Sequence, residues 1–305
     1  MAPERAYHVT PRCRPAPIRQ DRPVTDPLPD APPPELRYRR GLKFGTSLRA
    51  LWTSRHIALN LGLRELRVRY SQAILGFAWA LLTPFVLMVV FSVFLNRVAH
   101  VPVETHGIAY PVFSYTGLLA WTFFSSAVAS AGTSLVSNPL LNKVYAPREV
   151  FPIATIGTSG VDTFAASIAL VVLFVVYQDW PQPTSVWAPV LLVVLFAFTT
   201  GLGLIFASLT VYVRDLRHAL PLLLQVGLFV TPVVYGLNAI PSEWRAVYVF
   251  CNPVAMVIDG LRETVLYGES PNFTYLGLAS LSSLITLVVG YGLFKQLETG
   301  FADVS

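Results

Sequence analysis

The chain has 305 residues, 54% of them hydrophobic and only 13% charged, with a formal net charge of +5. A soluble domain usually carries about 25% charged residues, so half that share argues against an ordinary water-facing surface. The two cysteines, Cys13 and Cys251, are far apart and belong to no CxxC or Cys/His cluster, which argues against both a disulfide framework and a zinc site.

Residues 1–47 are rich in Pro and Arg and contain no apolar core of a signal peptide. They read as a disordered cytoplasmic tail. Residues 48–305 read as one membrane domain, opened by a helix over 48–72. Leu59, Leu63, Leu66 and Tyr70 recur there at helical spacing, which gives an apolar stripe beside basic residues and predicts a helix lying in the headgroup region. Arg55, Arg64, Arg67 and Arg69 are suited to lipid phosphates or to the phosphate of a lipid-linked substrate. A plain topology anchor is the competing reading.

Six apolar blocks follow, at about 73–96, 110–133, 151–177, 187–211, 219–236 and 274–294, each close to the ~20 residues a helix needs to cross a bilayer. The blocks are continuous rather than alternating, so the expected fold is all-α and not a β-barrel. Residues 1–72 hold 14 of the 22 Lys and Arg. Lys143, Arg148, Arg214, Arg217 and Lys295 fall in alternate loops on the same side, and only Arg97, Arg245 and Arg262 fall on the other. The positive-inside rule then places both termini in the cytoplasm. Basic residues spread over separate segments do not form a nucleic-acid-binding face.

Between the second and third blocks, Ser137–Pro152 begins with Asn138 and Pro139, a good helix start. Leu140, Leu141, Val144 and Tyr145 make a short amphipathic turn, with Lys143, Arg148 and Glu149 as polar contacts. The segment reads either as a tab for a groove on a soluble partner or as a generic surface loop. Asp162 lies within the third block among Gly157, Ser159, Gly160 and Thr163. A carboxylate there is either functional or caps a neighbouring helix. At the inner end of the fourth block, Arg214 and Asp215 of Tyr212–Leu216 suit charge anchoring.

The stretch 237–271 is apolar but broken by Pro241, Pro253 and Gly260, and neither half is long enough to span. Two short helices dipping back into the outer leaflet are expected. Tyr248, Asn252, Asp259 and Arg262 are candidates there for an outer gate, with Asp162 as the intramembrane candidate. The aromatics Phe113, Tyr115, Trp121, Phe123, Phe124, Trp79, Trp180, Trp187 and Tyr235 suit either a sugar-stacking pore or an interfacial belt. No phosphate loop, HExxH or GxSxG occurs, so no catalytic residue, metal ligand or cofactor is expected in this chain. The outer carboxylates Glu104, Asp179, Glu243, Asp259, Glu263 and Glu269 form no DxD cluster, which disfavours a polytopic membrane glycosyltransferase.

Several of these segments resemble ABC-2-type polysaccharide exporter permeases. They are the run from Arg64 to Pro84, the segment Asn138–Glu149, Tyr212–Leu216 with Pro221, Gln225, Pro232 and Val233, the pair Asn252–Pro253, and the tail Phe301–Val304. Ala146 stands where that pattern has an aromatic. The resemblance covers about residues 45–305. It implies a homodimer joined to an ATP-binding cassette subunit that holds ATP and Mg. Asn138, Leu140, Leu141, Lys143, Val144, Tyr145, Arg148 and Glu149 would couple to that ATPase. Arg64, Arg67, Arg69 and Tyr70 would admit a polyprenyl-linked glycan of the O-antigen, teichoic acid or galactan type from the inner leaflet of a bacterial plasma membrane. An ABC-2 drug or lipid exporter is the alternative within transport.

Overall fold

The computed structural model describes residues 54–71, 76–94, 105–136, 147–298 and 300–301, all within one compact unit, Leu42–Ser305. The expected tail over 1–47 lies outside them, as do Asn138, Leu140, Leu141, Lys143, Val144 and Tyr145. Among the described residues every regular element is a helix.

The order is α1 (Arg55–Tyr70), α2 (Ala78–Val93), α3 (Tyr110–Thr133), α4 (Val150–Tyr177), a 3-10 turn (Pro183–Trp187) leading into α5 (Ala188–Tyr212), α6 (Leu216–Val230), α7 (Ser242–Cys251), α8 (Pro253–Arg262) and α9 (Phe273–Glu298). Prolines stand in the first turn of α3, α5 and α8, where a missing N–H removes no helical bond. The helices α3, α4, α5 with its leading turn, and α9 are long and apolar enough to cross a membrane. The helices expected as the first and fifth spans are shorter. The described part of α2 has 16 residues and α6 has 15, which is about 24 Å at 1.5 Å per residue against a hydrocarbon core of about 30 Å.

The early end of α6 has a local cause. The expected block ran to 236, but the helix stops at Val230, and Thr231 is extended (φ −79°, ψ 139°). Pro232 clashes with a helical conformation of the residue before it. Residues 231–236 therefore form an irregular turn instead of a last helical turn.

α3 is the central helix, and most of its residues are buried. Phe113, Tyr115, Trp121, Phe123 and Phe124 are all inside. This corrects the pore or belt reading for them: they fill the core of one chain, with Phe124 stacked on Phe198 at 5.8 Å. Trp79 and Trp180 are exposed. The helix α8 is buried on nearly every side and packs against α3, α5 and α9. Helices α5 and α9 approach closely through small residues. A Cβ on Gly201 would lie 2.6 Å from the backbone of Thr286 and Leu287, and one on Gly290 would meet the Gly201 carbonyl. Small residues at such crossings let helix backbones gain close packing in lipid.

Candidate functional site

Three polar assemblies interrupt this apolar bundle. The first joins α1 to α4. Gly62 is the buried residue of α1, and a Cβ there would sit 3.5 Å from Thr158 and 3.7 Å from the Ala154 carbonyl. Helix α1 thus rests on the first half of α4. Leu59 and Leu63 of the expected stripe are exposed at 63% and 60%, so the first part of the apolar face does not pack on the protein, whereas Leu66 and Tyr70 are half-buried. The end of α1 reaches Asp162. Arg69 donates to Asp162 Oδ2 at 2.6 Å and to Glu65 at 3.0 Å, and the Tyr70 hydroxyl donates to Asp162 Oδ1 at 2.8 Å. The cap alternative for Asp162 is replaced by this pairing. Burial raises Glu65 above the ordinary carboxylate range despite Arg69. It pushes the Tyr70 phenol up to about 12, with the Asp162 bond adding to the shift.

A cleft of about 370 Å³ opens beside this pair, lined by Arg69, Tyr70 and Asp162 together with Trp79, Thr122 and Ser126. Arg64 and Arg67 are exposed on other sides of α1 and line no part of it. Two residue groups that sequence reasoning kept apart, the basic helix and the intramembrane carboxylate, therefore meet in one place.

The second assembly holds the turn after α6. The Tyr248 hydroxyl donates to the Val230 carbonyl at 2.6 Å, and Tyr235 donates to the Phe229 and Val230 carbonyls at 3.0 Å each. Asn252 donates to the Thr231 hydroxyl at 2.8 Å. These bonds satisfy carbonyls that a helix end leaves without partners. Beneath them lies Arg262, fully buried. Its guanidinium donates to the carbonyls of Phe113 (3.3 Å), Pro232 (3.1 Å), Tyr235 (2.9 Å) and Val233. It also lies over the Phe113 ring at 3.7 Å. Gly117 makes the room, since a Cβ there would be 2.5 Å from Arg262 Nη2.

Burial lowers the Arg262 pKa to about 10, and Asp259 opposes that shift. Asp259 itself is raised by burial. Glu263 is pushed up to about 7, first by burial and then by Asp259. Sequence reasoning flagged Tyr248, Asn252, Asp259 and Arg262 for this region, and the first two and Arg262 converge on one turn. Glu263, expected with Asp259 and Arg262 to cap or line the outer end, is the one with the pKa near neutrality, and Tyr235, read from the sequence only as an aromatic, joins the clasp.

The third assembly lies at the beginning of α4. Lys295 donates to Glu149 at 2.8 Å and to Glu298 at 2.9 Å. Glu149 is fully buried and its Oε1 has no partner among the described residues. Arg148 reaches the Glu298 carbonyl at 3.5 Å and lies 5.5 Å from the Phe301 ring centre. Tyr212 donates to the Leu297 carbonyl at 2.8 Å. The segment that ends at Glu149 is thus tied to the end of α9. Asp215 stands at the start of α6 without a side-chain capping bond.

Among the described residues no group of three or more His, Cys, Asp and Glu could hold a metal ion. The three assemblies bind side chains to side chains and to backbone; they hold helices and turns in place.

Comparisons with known proteins agree with this architecture. Residues 59–266 match the family described as ABC-2 type transporter. The chain is 27% identical over 243 residues to an O-antigen export system permease protein of Klebsiella pneumoniae, covering 79% of this chain and 92% of that one. It is 29% identical over 259 residues to an O-antigen export system permease protein of Myxococcus xanthus, covering 84% and 98%. It is also 28% identical over 249 residues to a polysialic acid transport protein of Escherichia coli, covering 78% and 92%. With more than half its length matched, and with apolar helices in the expected order, the chain is a multi-pass membrane protein that belongs to the ABC-2 type transporter family.

Proposed function

We propose that the chain is the membrane permease subunit of an ATP-driven exporter that moves a lipid-linked polysaccharide from the cytoplasmic to the outer side of the plasma membrane. The observation that carries this reading is the near end-to-end match to O-antigen export permeases and a polysialic acid transport protein, over 92–98% of their length. In this reading α2 and α6 complete six crossings, with both termini cytoplasmic, and two copies of the chain form the pathway. ATP and Mg belong to a separate ATP-binding subunit. The segment from Asn138 to Glu149 docks there, and the tie from Glu149 to Lys295 carries its movement to α9.

Arg64 and Arg67, exposed on α1, serve lipid or substrate phosphates at the membrane surface. Asn252 and Tyr248, anchored on the end of α6, support an outer exit. A drug or lipid exporter is the competing class within the family. The polysaccharide relatives favour a glycan. Deleting the gene in its host tests the reading. The expected result is a lipid-linked glycan trapped inside the cell and missing from its surface, restored by the intact chain. An unchanged surface glycan combined with new sensitivity to small apolar drugs would favour the competing class.

A further inference from the structure

From the cleft between α1, α2, α3 and α4, we infer a binding subsite for a neutral, hydroxyl-rich sugar ring, and not for the phosphate that a basic helix suggests. The proposal rests on the permease reading only for the source of that sugar, the glycan end of a membrane-embedded lipid.

Charge decides against phosphate. Among the described residues Arg69 is the one cation lining the cleft, and it is already bonded to both Asp162 at 2.6 Å and Glu65 at 3.0 Å. Asp162, the one carboxylate among the described lining residues, balances that guanidinium, so the cleft offers no net positive charge. An incoming phosphate would meet Asp162 within a few ångströms of the same guanidinium, and like charges at that range repel. A neutral ring meets no such repulsion.

The lining chemistry fits a sugar. A carboxylate offers about four acceptor sites, and the Asp162 oxygens spend one each on Arg69 and Tyr70. The remaining sites accept sugar hydroxyls. The Ser126 hydroxyl spends its proton on the Phe123 carbonyl and keeps its acceptor lone pairs. The Thr122 hydroxyl adds a further donor and acceptor at the cleft wall. Trp79, 51% exposed, supplies an aromatic surface whose electron-rich face attracts the electropositive C–H edge of a pyranose. A volume of about 370 Å³ accommodates one or two rings. Bridged at 2.6 Å, Arg69 holds Asp162 in place instead of competing for substrate charge.

The test uses the full chain in phosphatidylcholine nanodiscs and two probes with the same tail, dodecyl β-maltoside and dodecyl phosphate. Tryptophan emission is followed during titration, with Trp79→Phe as the variant that removes the reporter. The expected result is a saturable change with the maltoside, lost in Trp79→Phe and absent with the phosphate. Asp162→Asn is expected to weaken maltoside binding about tenfold, the loss of one or two charge-assisted hydrogen bonds. Because that variant also breaks the Arg69 bridge, Thr122→Val is the second one. It leaves the bridge intact and is expected to weaken the maltoside about threefold to fivefold at unchanged thermal stability. Saturable binding of the phosphate in place of the maltoside, equal binding of both, or binding of neither overturns the sugar subsite. Surface glycan in cells, measured separately, reports on the permease reading. Export with no maltoside binding sinks the subsite alone, and maltoside binding with no export sinks the permease reading alone.

Discussion

Lys295 holds the carboxylate of Glu149 at 2.8 Å across 146 positions of sequence. That bond fastens the beginning of α4 to the end of α9. Glu298 shares the same ammonium at 2.9 Å, so one cation serves two carboxylates, one of them fully buried. Removing a single partner from a buried pair leaves an uncompensated charge, which costs about 3–5 kcal/mol when burial is complete. Lys295 is 17% exposed, which moderates the penalty. Lys295→Met is expected to destabilise the chain by about 2–3 kcal/mol, and Glu298→Gln by less, because Lys295 keeps Glu149 as its partner. Thermal unfolding in detergent orders the two variants, and equal losses would deny the bridge its role.

Arg262 tests the clasp after α6. Lysine keeps the charge but has no planar fork of donors, so it cannot reach Phe113, Pro232, Val233 and Tyr235 together. Arg262→Lys is expected to cost about 2–4 kcal/mol, since buried carbonyls lose their partners. Gly117→Ala pushes a methyl into the guanidinium and is expected to cost about 1–3 kcal/mol. Part of that clash is with Arg262 and part with the Val233 carbonyl, so the double variant Gly117→Ala/Arg262→Met is expected to fall somewhat short of the sum of Gly117→Ala and Arg262→Met. Strict additivity in a double-mutant cycle would separate the two sites.

Glu263 gives a pH signature. Its folded pKa stands near 7 against an ordinary 4.5, raised by burial and then by Asp259. The folded state therefore binds the proton more tightly than the unfolded chain. The burial penalty is absent below about pH 4.5, grows as pH rises, and is complete above about pH 7. Glu263→Gln is expected to match the parent near pH 4.5 and to exceed its melting temperature above pH 7. Parallel melting curves across that window would show that Glu263 does not titrate there.

The crossing of α5 and α9 offers a packing test with an internal control. Gly201→Ala places a methyl 2.6 Å from the backbone of Thr286 and Leu287 and is expected to lower stability by about 1–3 kcal/mol. Gly157→Ala meets nothing within 4 Å and is expected to be neutral or slightly stabilising, because alanine is the better helix former. Similar melting temperatures for the two variants would mean that the helices part more easily than their contact suggests.

The sequence carried the order of the apolar helices and the break at Asn252–Pro253, and it singles out Asp162 and Arg262, because charge inside an apolar run is conspicuous. Their partners were not legible. Asp162 and Arg69 lie 93 positions apart, and no local period links them. The acceptors of Arg262 are main-chain carbonyls, which every residue possesses, so no residue type announces them. The stripe through Leu59 and Leu63 was correctly periodic, yet α1 meets α4 through Gly62. Periodicity groups residues on a face without saying which face touches protein, and in a membrane the smallest residue often does. The block at 219–236 ran past Val230 because hydropathy is blind to the restriction that Pro232 places on Thr231.

Cys251, the free cysteine among the described residues, is exposed at the end of α7. It reports the side of the membrane on which the short helices lie. An impermeant maleimide applied to intact spheroplasts is expected to label it, and reaction only after the membrane is opened would reverse the assigned orientation.

The most direct measurement is transport itself. The chain and its ATP-binding subunit are reconstituted in sealed vesicles with the host's lipid-linked glycan, and glycan reaching the opposite leaflet is quantified with a lectin. Movement that requires ATP and both proteins is the result this account predicts. Equal movement without nucleotide or without the ATP-binding subunit, or none with both present, would contradict it.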